Sequence, residues 1–280
     1  MLAGSAVAQA DEGYTLAEVE AILGEVRTPG PGEILIGGYL NDVQTIDLVT
    51  HSYPADIYIW FRWTDPELSP LETFEFMNFF DPEAHIEDTL YDEPQLMPDG
   101  SYYNIIRHQG QFSASMGLGD YPFDRQTLKW IVEDAEFGSE VVNYIADPQG
   151  FQINEDISLP GYIIGKPELR IFPKPYDTIF GDINNPETGS YSRALFVLPI
   201  SRPLQTGLIK FILPVGLILL CAGLALAVHP DHTDARIGLV ITALLTLVAL
   251  QITTNSALPE VGYLMLVDQI YILSYALILI

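Results

Sequence analysis

The stretch RIGLVITALLTLVALQITTNSALP, from Arg236 to Pro259, decides how the rest of the chain is read. Gly238, Thr242, Leu245, Ala249, Ile252 and Ser256 recur at steps of four and three, so a helix brings all six onto one face. That face is small, hydroxylated and aliphatic. Leu239, Val240, Ile241, Leu244, Leu247, Val248 and Leu250 make the remainder continuously apolar, as a wall packed on helices or lipid should be. The stripe suits the lining of a water-filled pore; small residues at tight contacts between membrane helices give a similar pattern.

The segments on either side are membrane spans by length. Phe211 to Val228 is uncharged and apolar over the roughly 20 residues that the hydrocarbon core demands. Pro214 within it is tolerable where neighbouring helices satisfy the freed carbonyl. Val261 to Ile280 is a third span, interrupted by Asp268 and Gln269. An acid there is costly unless it lies near the interface or has a partner, and a structural hydrogen bond is the expected role of Asp268. The single cysteine, Cys221, lies in the first span and reads as a packing residue.

Everything up to about Pro203 has a different character. That part holds 33 of the 37 acidic residues and 10 of the 12 Lys and Arg, a strongly anionic field that gathers cations and repels nucleic acid. A soluble acidic surface produces the same excess. Short β-branched and aromatic runs (Ile34–Leu40, Ile57–Trp63, Tyr102–Arg107, Leu128–Val132, Tyr162–Ile164, Leu195–Ile200) alternate with Pro, Gly, Asn and Asp, and Pro98-Asp99-Gly100 marks a tight reversal. This is the pattern of a β-sandwich. Residues 1–10 read as the remnant of a secretory signal, and 11–30 as a short amphipathic helix on Leu16, Val19, Leu23 and Val26. The sandwich is expected over 31–203 and the membrane region over 204–280, with spans at 204–228, 235–257 and 262–280.

At Tyr121-Pro122-Phe123-Asp124-Arg125-Gln126 the sequence resembles the signature loop of the pentameric ligand-gated ion channels, the Cys-loop receptor superfamily, and most of all its bacterial members. Further matches fall in the family's order: Trp63-Thr64-Asp65-Pro66, Arg202-Pro203, Phe211-Ile212-Leu213-Pro214, Leu258-Pro259, and Tyr263 with Asp268-Gln269. Ala114 and Leu128 stand where animal members carry paired cysteines, so a type without that disulfide is implied. The resemblance also implies a fourth membrane helix, absent up to Ile280, and the chain is read as either truncated or incomplete ahead of it.

What the resemblance implies is a homopentamer around a central pore, an extracellular (periplasmic) all-β sandwich above an α-helical transmembrane bundle in a bacterial inner membrane. Its partners would be its own copies, membrane lipids, permeant cations and a small agonist. Leu245, Ala249 and Ile252 would form apolar rings that block ions by dewetting, above Thr242 and Gly238. Asp234 falls on the same face, where five carboxylates at the cytoplasmic mouth would select cations; as a favoured N-cap residue it has an alternative, structural reading. Coupling would run through Asp47, Tyr121, Pro122, Phe123, Asp124, Arg202 and Pro259, with Asp124 or Asp47 paired to Arg202. The agonist site would take Tyr58, Phe80, Glu133, Phe137, Tyr176, Phe180 and Tyr191 as an aromatic cage between subunits, and aromatic faces next to a carboxylate favour an amine.

No cofactor is called for. Calcium is an open candidate modulator through acid pairs such as Glu87-Asp88 and Asp92-Glu93, although no spaced calcium loop is present. His51, His85 and His108 read as too scattered for a metal site, and His229 with His232 as a solvated cytoplasmic turn. No nucleophile-and-base motif or phosphate-cradling loop points to an enzyme. The competing reading is a membrane-tethered periplasmic binding or sensor protein that does not conduct.

Overall fold

The computed structural model describes residues 16–17, 26–181 and 189–279. The signal-like residues 1–10 and most of the amphipathic helix expected over 11–30 lie outside them. Two sheets form the first part. One holds β4 (Ile86–Thr89), β6 (Tyr102–Ser113), β2 (Ser52–Trp63), β1 (Glu33–Val43) and β8 (Asn143–Ile153) in that order, with β5 (Gln95–Leu96) also on β6. The other runs β10 (Glu168–Pro175), β11 (Ser190–Ser201), β7 (Arg125–Asp134) and β3 (Phe74–Phe76), with β9 (Ile163–Ile164) on β11. The expected strands all lie within these except that β9 starts at Ile163, one residue after the expected Tyr162; β3, β4, β5, β8 and β10 are additions. β4 and β5 are short and exposed, and β4 is acidic, so they lack the apolar alternation that marks a strand in sequence.

Alternation builds the core. Tyr53, Ala55, Ile57, Ile59, Phe61 and Trp63 of β2 point inward, and Leu128, Trp130 and Val132 of β7 with Ala194, Phe196 and Leu198 of β11 meet them. Trp130 stands edge-on to Tyr53 at 5.6 Å and to Phe151 at 5.8 Å. The Tyr53 hydroxyl crosses between the sheets to donate to the Lys129 carbonyl and accept its N–H. The turn at Pro98-Asp99-Gly100 closes as expected, with Gly100 N–H donating to Met97 and Met97 N–H to Ser101.

On the outer face of β2, Asp56 is buried among donors. Arg107 supplies Nε at 2.9 Å and Nη2 at 2.6 Å, Asn41 Nδ2 lies at 2.8 Å and Gln109 Nε2 at 3.2 Å. Burial disfavours the Asp56 carboxylate, but these donors outweigh it and hold its carboxyl below the usual range. Since the unfolded chain then binds the proton more readily, this stabilisation is complete above the unfolded value of about 3.9 and is lost as pH falls through the lower folded value. Asp56→Asn is expected to lower the melting temperature at pH 7 and to flatten its decline below about pH 4; parallel melting curves for the two proteins across pH 3–7 would refute this.

A short helix α1 (Pro70–Thr73) leads into β3, and the sandwich ends at Ser201. Leu204–Ala227 then forms a continuous helical run: α2 (Leu204–Gly207), a π-helical turn at Leu208–Ile212 and α3 (Leu213–Ala227). The wide turn has a local cause. Pro214 cannot donate to the Lys210 carbonyl and its ring crowds that group, so the backbone loosens just before it. α4 covers Thr233–Asn255 and α5 Leu266–Leu279, the latter starting four residues later than expected because Gly262–Met265 runs as a non-helical segment.

Leu204–Ala227 and Thr233–Asn255 are long and apolar enough to cross a membrane. Ala243 and Leu247 of α4 are buried, as are Val267, Tyr271, Ser274 and Ile278 of α5 at steps of four, three and four. Phe211 meets Tyr271 edge-on at 5.4 Å. Polar side chains within the bundle are paired: Tyr275 donates to Gln251 Oε1 at 2.6 Å, and Thr254 and Tyr271 share a 2.9 Å bond. Gln251, which the stripe leaves unexplained, is thus a bond between helices. Asp268 Oδ2 accepts the Met265 N–H at 3.0 Å, a structural role at the start of α5.

Candidate functional site

The membrane end of the sandwich meets the helices through the signature loop. After the cis Tyr121–Pro122 bond the chain turns, and Asp124, only 1% exposed, accepts from Arg202 Nε at 2.7 Å and from Gln126 Nε2 at 2.7 Å. Arg202 N–H also donates to the Asp124 carbonyl, which fixes the entry to α2 beside the loop. The guanidinium lies over Tyr121 at 5.0 Å and Tyr162 at 4.6 Å, and its Nη2 donates to the Tyr162 hydroxyl at 2.6 Å. Arg202 is therefore held by a carboxylate, a phenol and two aromatic faces. Burial and the neighbouring carboxylate push the Tyr162 phenol up to about 12, so it stays a neutral acceptor.

The loop also grips the helices directly. Leu118 N–H donates to the Tyr263 hydroxyl at 3.0 Å, and Leu266 N–H donates to the Gly119 carbonyl at 2.8 Å. Phe123 lies on Gly207, where an added Cβ would come within 2.6 Å of the ring, so the small residue permits the contact. Asp47 is not part of this pairing. Its Oδ1 caps its own turn through Val49 N–H and Thr50 N–H, and between the two expected partners of Arg202 only Asp124 makes the contact. Pro259 is half-buried in the loop after α4, next to the buried Leu258. Tyr162, Gly207 and the roles of Tyr263 and Leu118 were not foreseen; a strand-edge tyrosine and a helix glycine carry no sequence mark of a distant partner.

All seven proposed stripe residues are exposed, Asp234, Gly238, Thr242, Leu245, Ala249 and Ile252 on α4 and Ser256 at its C-cap, opposite the side that packs on α3 and α5. Ile241 and Val248, read as wall, are exposed too. The N-cap of α4 is His232, with no side-chain capping bond, and Asp234 sits in the first turn; the N-cap reading of Asp234 is corrected. Arg236 turns away and donates Nε to the Ala225 carbonyl at the end of α3. Thr242 donates its hydroxyl to Gly238 O at 2.7 Å and Thr246 donates to Thr242 O at 2.7 Å.

The aromatic candidates divide into groups. Tyr176 meets Phe180 at 5.4 Å and Tyr191 at 5.8 Å, and its hydroxyl donates to Glu133 at 2.9 Å. Glu133 is buried and also accepts from Arg193 Nε, while Arg193 Nη2 reaches the Tyr176 hydroxyl at 3.1 Å. Lys174 Nζ lies 5.7 Å from the Tyr176 ring. The carboxylate expected to attract an amine is already neutralised within its own chain. Burial and the Glu133 carboxylate raise the Tyr176 phenol above its ordinary value. Phe180 is 68% exposed, and Phe137 is half-buried with its N–H bonded to Asp134. Tyr58 stands on the other sheet, its ring 5.4 Å from the Arg107 guanidinium, and Phe80 is exposed with its N–H on Gln111.

His85 and His108, read as scattered, come together with ring centroids 6.4 Å apart, because β4 and β6 pair in the sheet; His51 is elsewhere and accepts the Met116 N–H.

No family model matches the chain. It is similar to the gamma-aminobutyric acid receptor subunit theta of Mus musculus, 23% identical over a 270-residue alignment that covers 87% of this chain and 39% of that protein. The chain thus spans about two fifths of the length of this relative. The likeness runs through both the β-sheet part and the apolar helices, and it supports the ligand-gated receptor superfamily that the signature loop suggests.

Proposed function

We propose that this chain is a subunit of a ligand-gated ion channel of the type without the Cys-loop disulfide, working as a homopentamer in a bacterial inner membrane with its sandwich in the periplasm. The observation that carries this reading is the junction at Arg202, where the signature loop, the end of β11 and the segment before α5 are bonded into one unit. A membrane anchor needs no such coupling between its sensor and its helices. The free face of α4 supports the same reading, since a helix packed on one side only leaves the Thr242 and Leu245 side for an axis shared by five copies.

The ligand is a small amine that packs on Tyr176, Phe180 and Tyr191, with Tyr58 of a neighbouring subunit closing the cage. Here the amine competes with Arg193 for Glu133, so the aromatic faces supply most of the attraction, about 0.5–2 kcal/mol each. Recording currents from purified protein in planar bilayers, while stepping amine concentration, calcium and pH, tests the reading. A non-conducting receptor that still binds amines would favour the tethered sensor.

Cation selectivity rests on Asp234. The carboxylate is exposed in the first turn of α4, on the stripe side and near the positive end of the helix dipole. Asp234→Ala is expected to move the reversal potential in a tenfold salt gradient toward zero. An unmoved potential would remove Asp234 from selectivity.

A further inference from the structure

A cavity of about 540 Å³ lies on the outer face of β2 and β6, among Arg27, Trp60, Arg62, Tyr103, Ile105 and Asp147. Two local irregularities build it. In β8 the pairing with β1 passes from Ala146 opposite Ile36 to Phe151 opposite Gly38, so Asp147 to Gly150 bulge against the single residue Gly37. Asp147 Oδ1 accepts the Gln149 N–H at 2.9 Å, which braces the bulge and leaves the carboxylate at the cavity. Across Gly37 lies the indole of Trp60, its partner on β2, and an added Cβ at 37 would come within 2.3 Å of that ring. Trp60 pairs with Ile105 and Arg62 with Tyr103, so Trp60 and Tyr103 are diagonal neighbours on one face, close enough for two large rings to share a guest. Tyr91 holds Tyr103 edge-on at 6.2 Å.

Charge then decides what the cavity takes. Arg27 is paired with Glu33 at 3.1 Å and Arg62 with Asp99, so both guanidinium groups are already committed to carboxylates. Among the described residues Asp147 has no cationic partner. Burial, with Tyr91 and the Asp147 carboxylate beside it, pushes the Tyr103 phenol up to about 12, so that ring stays neutral. The volume falls within the roughly 300–1,000 Å³ of small-molecule sites. Two aromatic surfaces beside one uncompensated carboxylate suit a cation whose charge is spread over methyl groups and which gives up little hydration on entering.

We propose that this cavity binds a small quaternary ammonium ion, its methyl groups against Trp60 and Tyr103 and its charge facing Asp147. The site is separate from the agonist cage. Tyr58, two residues before Trp60 on the same face of β2, does not line the cavity, and its ring lies 5.4 Å from the Arg107 guanidinium.

The test uses the chain's own fluorescence. Of its three tryptophans, Trp63 and Trp130 are buried, so acrylamide reaches Trp60 first. In the purified full chain, choline chloride is expected to protect Trp60 from acrylamide, whereas sodium chloride at the same concentration gives no protection. Asp147→Asn and Tyr103→Leu should each raise the choline concentration for half-protection about tenfold. Tyr191→Ala, in the cage, should leave that concentration unchanged, so failure of the cage and failure of this site are read apart. Equal quenching in choline and sodium, protection that survives both Asp147→Asn and Tyr103→Leu, or protection abolished by Tyr191→Ala would each overturn the proposal.

Discussion

Arg202→Ala is expected to yield a protein that assembles in the membrane but passes no ligand-evoked current, with a lowered melting temperature. The substitution leaves Asp124 a buried carboxylate with Gln126 as its remaining side-chain donor. Breaking such a pair costs about 3–5 kcal/mol, because the surviving charge has lost its partner but not its burial. That is a large part of an ordinary domain's stability, yet short of all of it. The diagnostic is the double variant Arg202→Ala/Asp124→Asn, which removes the stranded charge and should recover much of the melting temperature. Current should stay absent, since the link from loop to helix is still missing. If Arg202→Ala responds to agonist as the unaltered protein does, the junction has no part in gating.

The second large effect is expected at Leu245. This side chain is 64% exposed in the single chain, so its replacement leaves the packing of α4 intact. In the proposed ring of five it would form an apolar collar on the stripe, and each leucine prefers a dry surround by about 1.5–3 kcal/mol. Leu245→Ser lets water fill the collar at rest. Spontaneous current should appear, and the agonist concentration for half-maximal opening should fall at least tenfold, equivalent to about 1.4 kcal/mol. A melting temperature within a degree or two of the original would show that the fold is unaffected. A Leu245→Ser channel that stays shut without agonist and keeps its midpoint would refute the apolar gate.

How far these assignments could be read from the sequence depends on the distance over which each is determined. The stripe on α4 and the inward residues of β2, β7 and β11 follow from local periodicity, which the chain carries at every step. The Asp124–Arg202 pair needed a family resemblance, since 78 residues separate the partners and Asp47 was an equal candidate. Tyr162 could not be read at all: its hydroxyl meets Arg202 only because β9 pairs with β11. The Glu133–Arg193 contact was hidden in the same way, and with it the reason that a carboxylate in the cage attracts little. Likewise, His85 and His108 look remote until β4, an acidic segment without alternation, joins the sheet.

The threonines of α4 have one more consequence. Thr242, Thr246 and Thr253 each give their hydroxyl hydrogen to the carbonyl four residues back, at 2.7 to 2.9 Å. What remains to face outward is oxygen lone pairs, with no proton to offer. On the proposed pore axis these oxygens would suit a partly dehydrated sodium or potassium ion better than chloride. The backbone would thereby give an uncharged alcohol a preferred sign.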